Sequence, residues 1–110
     1  MRKFGREKNQ RRAFLKSLVA NLILKEKIKT TQARAKEVRA LVERLISITK
    51  KGDLSAQRRI VAALPSLARK KLVKEIAPRM KQRTSGYTRI TKLARRLSDG
   101  AAMVYIEIIK

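Results

Sequence analysis

The chain contains no cysteine, no histidine and no tryptophan. Without cysteine there can be no disulfide and no thiolate metal site. Without histidine, the common zinc motifs and imidazole acid–base catalysis are excluded as well. Acids are scarce, 8 Asp+Glu against 30 Lys+Arg in 110 residues, and aromatic residues make up only 4%. Uncharged stretches such as Ser17–Leu24 are too short to span a bilayer. The opening MRKFGREKNQRR lacks the apolar region of a secretory signal. Of the acids, Glu7, Glu26, Glu37, Glu43, Asp53, Glu75, Asp99 and Glu107, none has a close acidic neighbour in sequence, so nothing points to a catalytic carboxylate pair. No Walker-type loop or dinucleotide fingerprint is present. These absences predict a chain with no catalytic residues, no metal, no cofactor, no small-molecule substrate and no membrane partner.

What is present is positive charge on a foldable pattern. The formal net charge is +22. Residues 1–55 hold 16 cations against 5 acids and residues 56–110 hold 14 against 3, so each half carries +11. The charge therefore belongs to the body of the chain and not to a tail. Self-repulsion at this density disfavours compaction, which predicts a polyanionic partner and marginal stability without it. Yet 44% of residues are apolar and recur periodically, and the length suits one domain. A cytosolic, polyanion-bound protein is the first reading.

Residues 1–8 read as a basic arm and residues 9–110 as a single domain. Phe14, Leu15, Leu18, Val19, Leu22 and Ile23 form one face of a helix expected over about Asn9–Glu26. The β-branched residues of KIKTT suggest a short strand at 27–30, with Thr30 or Thr31 capping a second helix that runs to Lys51 and stops at Gly52. Asp53 is placed to cap a third helix, with Leu54, Ile60, Val61 and Leu64 as its apolar side, ended by Pro65. Ser66 is placed to cap a fourth, burying Leu67, Leu72, Val73 and Ile76, with Pro78 ending or kinking it near Ile76. After Gly86 the period becomes two. Thr88 and Ile90 share one face, with Arg89 and Thr91 on the other; Val104, Ile106 and Ile108 oppose Met103, Tyr105 and Glu107. Ser98-Asp99-Gly100 is the turn between these strands. The order helix, short strand, three helices, two-stranded hairpin predicts an α+β two-layer domain, its helices packed on one face of a small sheet.

Cations on a helix face are ordinarily solvated, and Lys50-Lys51 and Lys70-Lys71 read that way. The exceptions are places where cations gather without acids. In the arm these are Arg2, Lys3, Arg6, Lys8, Arg11 and Arg12. From Ile76 to Ser98 there is no acid, while Arg79, Lys81, Arg83, Arg89, Lys92, Arg95 and Arg96 fall in that window. Within it, RTSGYTRI at 83–90 pairs charge with special backbone. Gly86 tolerates positive φ and close approach of a phosphate, and Ser85 and Thr88 are hydroxyl donors. Tyr87 is suited to stack on an unpaired base, with Arg83 and Arg89 supplying charge on either side. The plainer reading is a turn at Gly86 with Tyr87 packed on the sheet.

The stretches ILKEKIKTTQARAKEVRALVERLISITKKGD (23–53), EIAPRM, SGYTRITKLARR and MVYIEII, in this order, resemble the bacterial large-subunit ribosomal protein seventeen family, and KFGRE and QRRA resemble its basic start. The resemblance runs from about residue 3 to residue 109. It implies a structural, non-catalytic constituent of the large ribosomal subunit in the cytoplasm. It also implies binding to large-subunit ribosomal RNA near the rim of the nascent-peptide exit, with neighbouring large-subunit ribosomal proteins as further partners. RNA contacts would fall on the arm, the start of the first helix including Lys16, and the segment around Gly86. Ser85 stands where the family usually has glycine. A free, nucleoid-type nucleic-acid-binding protein is the competing reading from charge alone; a membrane-active peptide and an enzyme are weaker ones.

Overall fold

The computed structural model describes residues 5–109, with side chains for residues 8–109. Helix α1 (Gly5–Lys25) leads through a single residue into strand β1 (Lys27–Thr31), and helix α2 (Gln32–Lys51) follows directly. After α3 (Leu54–Ala63) comes α4 (Ser66–Lys71), which continues through a π-helical turn (Leu72–Ile76) into α5 (Ala77–Arg79). Strands β2 (Thr88–Lys92) and β3 (Met103–Ile108) complete the chain. The result is the expected α+β domain of helices on a small sheet.

The sheet has three strands, the short strand β1 joining the two strands of the C-terminal half. Its order is β1–β3–β2, all antiparallel, so the last strand lies in the middle. Ile28 faces Ile106 and Thr30 faces Val104 on one side of β3; Ile90 faces Ile106 and Thr88 faces Ile108 on the other. An apolar, alternating strand with both edges free would leave two rows of backbone groups unpaired. Recruiting β1 removes one of them. Val104, Ile106 and Ile108 are buried, and this inner face packs on α1 and α2.

Local chemistry explains most element ends. Thr31 caps α2 through its hydroxyl, and Gly52 takes φ +69 at the C-terminus of that helix. Asp53 accepts the Ala56 N–H at 2.7 Å and caps α3. Three boundaries differ from expectation. Helix α1 begins at Gly5, inside the segment read as an arm, because Arg6–Gln10 contains no proline or β-branched residue to stop it. Pro65, not Ser66, is the N-cap of α4, and Ser66 is its first helical residue. Pro78 does not end the helix near Ile76 but disturbs it there. The preceding turn widens so that the Ala77 N–H reaches the Leu72 carbonyl, and the helix runs on to Arg79. An i→i−5 turn is a known way to relax a helix around a residue that cannot join the regular ladder.

The core joins Leu22 and Ile23 of α1, Val38, Val42 and Ile46 of α2, and Ile106 of β3, all fully buried. From the third and fourth helices the buried stripe is Ala56, Ile60, Leu64, Ala68, Leu72, Ile76 and Met80, a run at intervals of four. Leu54, Val61, Leu67 and Val73, expected inside, are exposed. Short outer helices bury one narrow stripe, and here two of its positions are alanines, whose small side chains allow close helix packing. Phe14 is also exposed, with the Arg34 guanidinium 4.5 Å above its ring.

Candidate nucleic-acid interface

On α1, Lys8, Arg12 and Lys16 recur every four residues and so share one face. All are exposed, as is Arg11. Arg11 is partly neutralised by Glu37, at 3.0 Å, and Lys16 donates to the Ala62 carbonyl at 2.9 Å. Arg2 and Lys3 lie outside the described residues, as does the side chain of Arg6.

The second basic surface is the loop between α5 and β2. Lys81, Arg83 and Ser85 are exposed on it. Gly86 has φ +69, the left-handed region, and a Cβ built there would meet no atom within 4 Å. Glycine is therefore required by the backbone angle and not by crowding. Tyr87 does not present its ring to a partner. It is 2% exposed, and its hydroxyl donates to the Thr84 carbonyl at 3.0 Å and accepts from Lys50 Nζ at 3.1 Å. The bond from the Lys50 ammonium holds the phenol below its ordinary pKa. Lys50 also donates to the Arg83 carbonyl. The tyrosine is thus the peg on which the loop folds, and the base-stacking role expected of it is replaced by packing. Thr88 is likewise buried, donating to Glu43 at 2.9 Å, so its hydroxyl is not available to a phosphate. Lys50, read from sequence as a solvated lysine, is the residue that sequence reasoning missed here; only the 37-residue span to Tyr87 reveals it.

The outer face of the sheet carries Arg89, Glu107 and Lys27 in one row, and Thr91, Tyr105 and Lys29 in the next. Arg89 points outward as expected, 63% exposed, with Glu107 at 3.3 Å. Lys27 Nζ sits 4.4 Å from the Tyr105 ring centre. This aromatic–basic set was signalled by the alternation of MVYIEII, which puts Tyr105 on the face opposite Val104. Between β2 and β3, Arg95 donates to the Gly100 carbonyl at 2.8 Å, and Arg96 binds both carboxylate oxygens of Asp99, at 2.9 and 2.8 Å. That pairing holds the Asp99 carboxyl below its usual range.

Arg79 is drawn away from the surface role expected of it. Its guanidinium lies 2.5 Å from Glu26, and Lys71 binds the other carboxylate oxygen at 3.0 Å. These bonds, the Arg79 contact foremost, lower the Glu26 pKa to about 2. Glu26 itself stands at φ +65, unusual for a residue with a side chain. The two cations secure the corner where α1 turns into β1.

Among the described residues, no hydrogen bond or ion pair joins the α1 stripe to the 83–89 segment. Glu26, Glu37, Glu43, Asp99 and Glu107 each have a cation within 3.5 Å. Most of the described acids are thereby matched by a cation of the same chain, the Arg11–Glu37, Arg89–Glu107 and Arg96–Asp99 pairs at the surface and the Glu26 pairs half-buried. Among the described residues no group of acids could hold a metal ion, and no helix is long and apolar enough to cross a membrane.

The α+β domain thus presents outward cationic surfaces, with most of its described acids in ion pairs within the chain. The family described as Ribosomal protein L17 matches residues 14–109, and the chain belongs to that family, one of structural, non-enzymatic proteins. It is 50% identical over 109 residues to the large ribosomal subunit protein bL17 of Caldanaerobacter subterraneus, covering 98% of this chain and 97% of that one. The bL17 proteins of Staphylococcus epidermidis and Lysinibacillus sphaericus are 45% and 43% identical, over 98% of both chains in each case.

Proposed function

We propose that this chain is a structural constituent of the large ribosomal subunit in the cytoplasm, and that it binds large-subunit ribosomal RNA near the rim of the peptide exit. The observation that carries the reading is the pairing pattern: most described acids are matched by cations of the same chain, while Lys8, Arg12, Lys81 and Arg83 are exposed with no acid paired to them among the described residues. Phosphates attract such cations by counterion release, without reading sequence. The α1 stripe, together with Arg2, Lys3 and Arg6 that precede it in sequence, forms one contact. The other comprises Lys81, Arg83, Ser85, Gly86, Arg89, Arg95 and Arg96. Tyr87, Thr88 and Arg79 serve it from inside by holding the loop, the strand and the preceding helix in place. The names of the relatives support large-subunit membership, and neighbouring ribosomal proteins complete the surroundings.

Sedimentation of salt-washed ribosomes, split into subunits, tests this reading. The chain should travel with the large subunit, and crosslinks from Arg83 and Lys8 should reach ribosomal RNA at the exit rim. Recovery mainly with free DNA or RNA at the top of the gradient would overturn the reading in favour of a free nucleic-acid-binding protein.

A further inference from the structure

Helices α1, α2 and α3 enclose an open cleft of about 430 Å³, within the size range of sites that hold small molecules. Leu15, Leu41, Leu45 and Ile48 give it an aliphatic floor. Arg12, Lys16, Arg44 and Arg59 also line it, all of them exposed, and no acid among the described residues does. Arg44 and Arg59 form no ion pair among the described residues, and neither belongs to the two basic surfaces above.

We propose that this cleft seats one unpaired RNA nucleotide, its base lying on the aliphatic floor and its flanking phosphates on the four cations. The inference rests on the reading of the chain as a ribosomal-RNA binder. The lining asks for a ligand that is apolar and flat on one side and strongly anionic at its edge, and a nucleotide is both. A second copy of this chain would bring its own +22 against the same cations. Unpaired bases in RNA are splayed out and taken up by protein side chains, and apolar side chains are known to pack against unstacked bases. Arginine adds planar, bidentate contacts to phosphate.

The test uses the full chain and large-subunit ribosomal RNA transcribed with 4-thiouridine. Irradiation should join nucleotides to peptides containing residues 41–48 or 59–63. Ala62→Leu, at an exposed position lining the cleft, adds bulk without altering charge. It should remove those adducts and lower affinity about fivefold, with the salt dependence unchanged. Arg44→Gln with Arg59→Gln should lower affinity about tenfold at low salt and make the log–log salt slope shallower by about 1.4, two contacts to a single strand. Circular dichroism of each variant reports its folding. Binding with adducts only elsewhere would overturn the cleft assignment and leave the ribosomal-RNA reading standing. Failure of the unaltered chain to bind would overturn both. Trapping of a protein segment at Arg44 or Arg59 by a bifunctional crosslinker in intact large subunits would replace the nucleotide with a protein occupant.

Discussion

Gly86 and Arg89 are three residues apart yet depend on different physics, so their replacements should fail differently. At Gly86 there is room for a side chain but the backbone angle is wrong for one. Gly86→Val should cost about 1–3 kcal/mol of stability through strain alone, and Gly86→Asn markedly less, because Asn tolerates the left-handed region. Chemical denaturation would measure both, and equal losses would mean that the space, not the angle, is decisive. Arg89 is outward-facing and its partner Glu107 gives little stability at such exposure. Arg89→Ala should therefore keep the melting temperature, weaken binding to a ribosomal-RNA fragment by roughly 1 kcal/mol, and make the salt slope shallower by about one contact. Unaltered binding at every salt concentration would identify Arg89 as a solvated strand residue. Glu26 makes a third case. Its folded pKa of about 2 lies below the 4.5 of an unconstrained glutamate. The ionised form is thus favoured by folding, and the stabilisation is complete above about pH 4.5 and lost as pH falls towards 2. Allowing for solvent screening, it amounts to about 1–2 kcal/mol. Glu26→Gln should lower stability near neutral pH and flatten its decline between those limits. An identical acid profile for the two proteins would remove this ion pair from the account.

At the scale of elements, caps and stripes decide where helices begin and which side they hide. Asp53 bonds the first turn of α3 at 2.7 Å, whereas the Thr31 hydroxyl lies 3.4 Å from the Arg34 N–H. Hydrogen bonds weaken over that range. Asp53→Ala should cost about 1 kcal/mol and Thr31→Ala less; thermal melts of the two variants would rank them, and the reverse order would show that cap length is not the controlling quantity. The fourth helix shows what periodicity can and cannot tell. Its apolar residues suggested burial of Leu67, Leu72, Val73 and Ile76; Leu72 and Ile76 are buried, whereas Leu67 and Val73, next to Ala68 and Leu72 on opposite sides of that stripe, are exposed. A shift of one residue is about 100° around a helix, and only the neighbouring helices determine which of adjacent positions turns inward. The π-helical turn was not legible at all, since proline announces a disturbance in a helix but not how the backbone will accommodate it.

For the whole molecule the controlling quantity is charge. If about six phosphates are neutralised, affinity for a ribosomal-RNA fragment should fall with monovalent salt along a log–log slope of roughly −4 to −5. The free chain should also melt at a higher temperature once sulfate or the fragment is added, because counter-charge relieves repulsion in the folded state. Fluorescence anisotropy and differential scanning calorimetry would measure these. A slope near zero, or melting unmoved by saturating RNA, would show that neither binding nor folding depends on the partner's phosphates.

The amino-acid sequence alone determined the excluded chemistry, the sign and spread of the charge, the α+β class, the need for glycine at position 86 and the outward direction of Arg89. Each of these follows from residue type or from periodicity over a few neighbours, where sterics and hydrogen bonding are local. Tertiary structure alone decided that β3 lies between β1 and β2, that Tyr87 turns inward, that Thr88 finds Glu43, that Lys50 reaches the Gly86 loop and that Arg79 is taken by Glu26. Those outcomes join residues 12 to 80 positions apart. A side chain's partner at such range is selected by which surfaces bury the most apolar area together, and that competition is settled only when the whole chain packs.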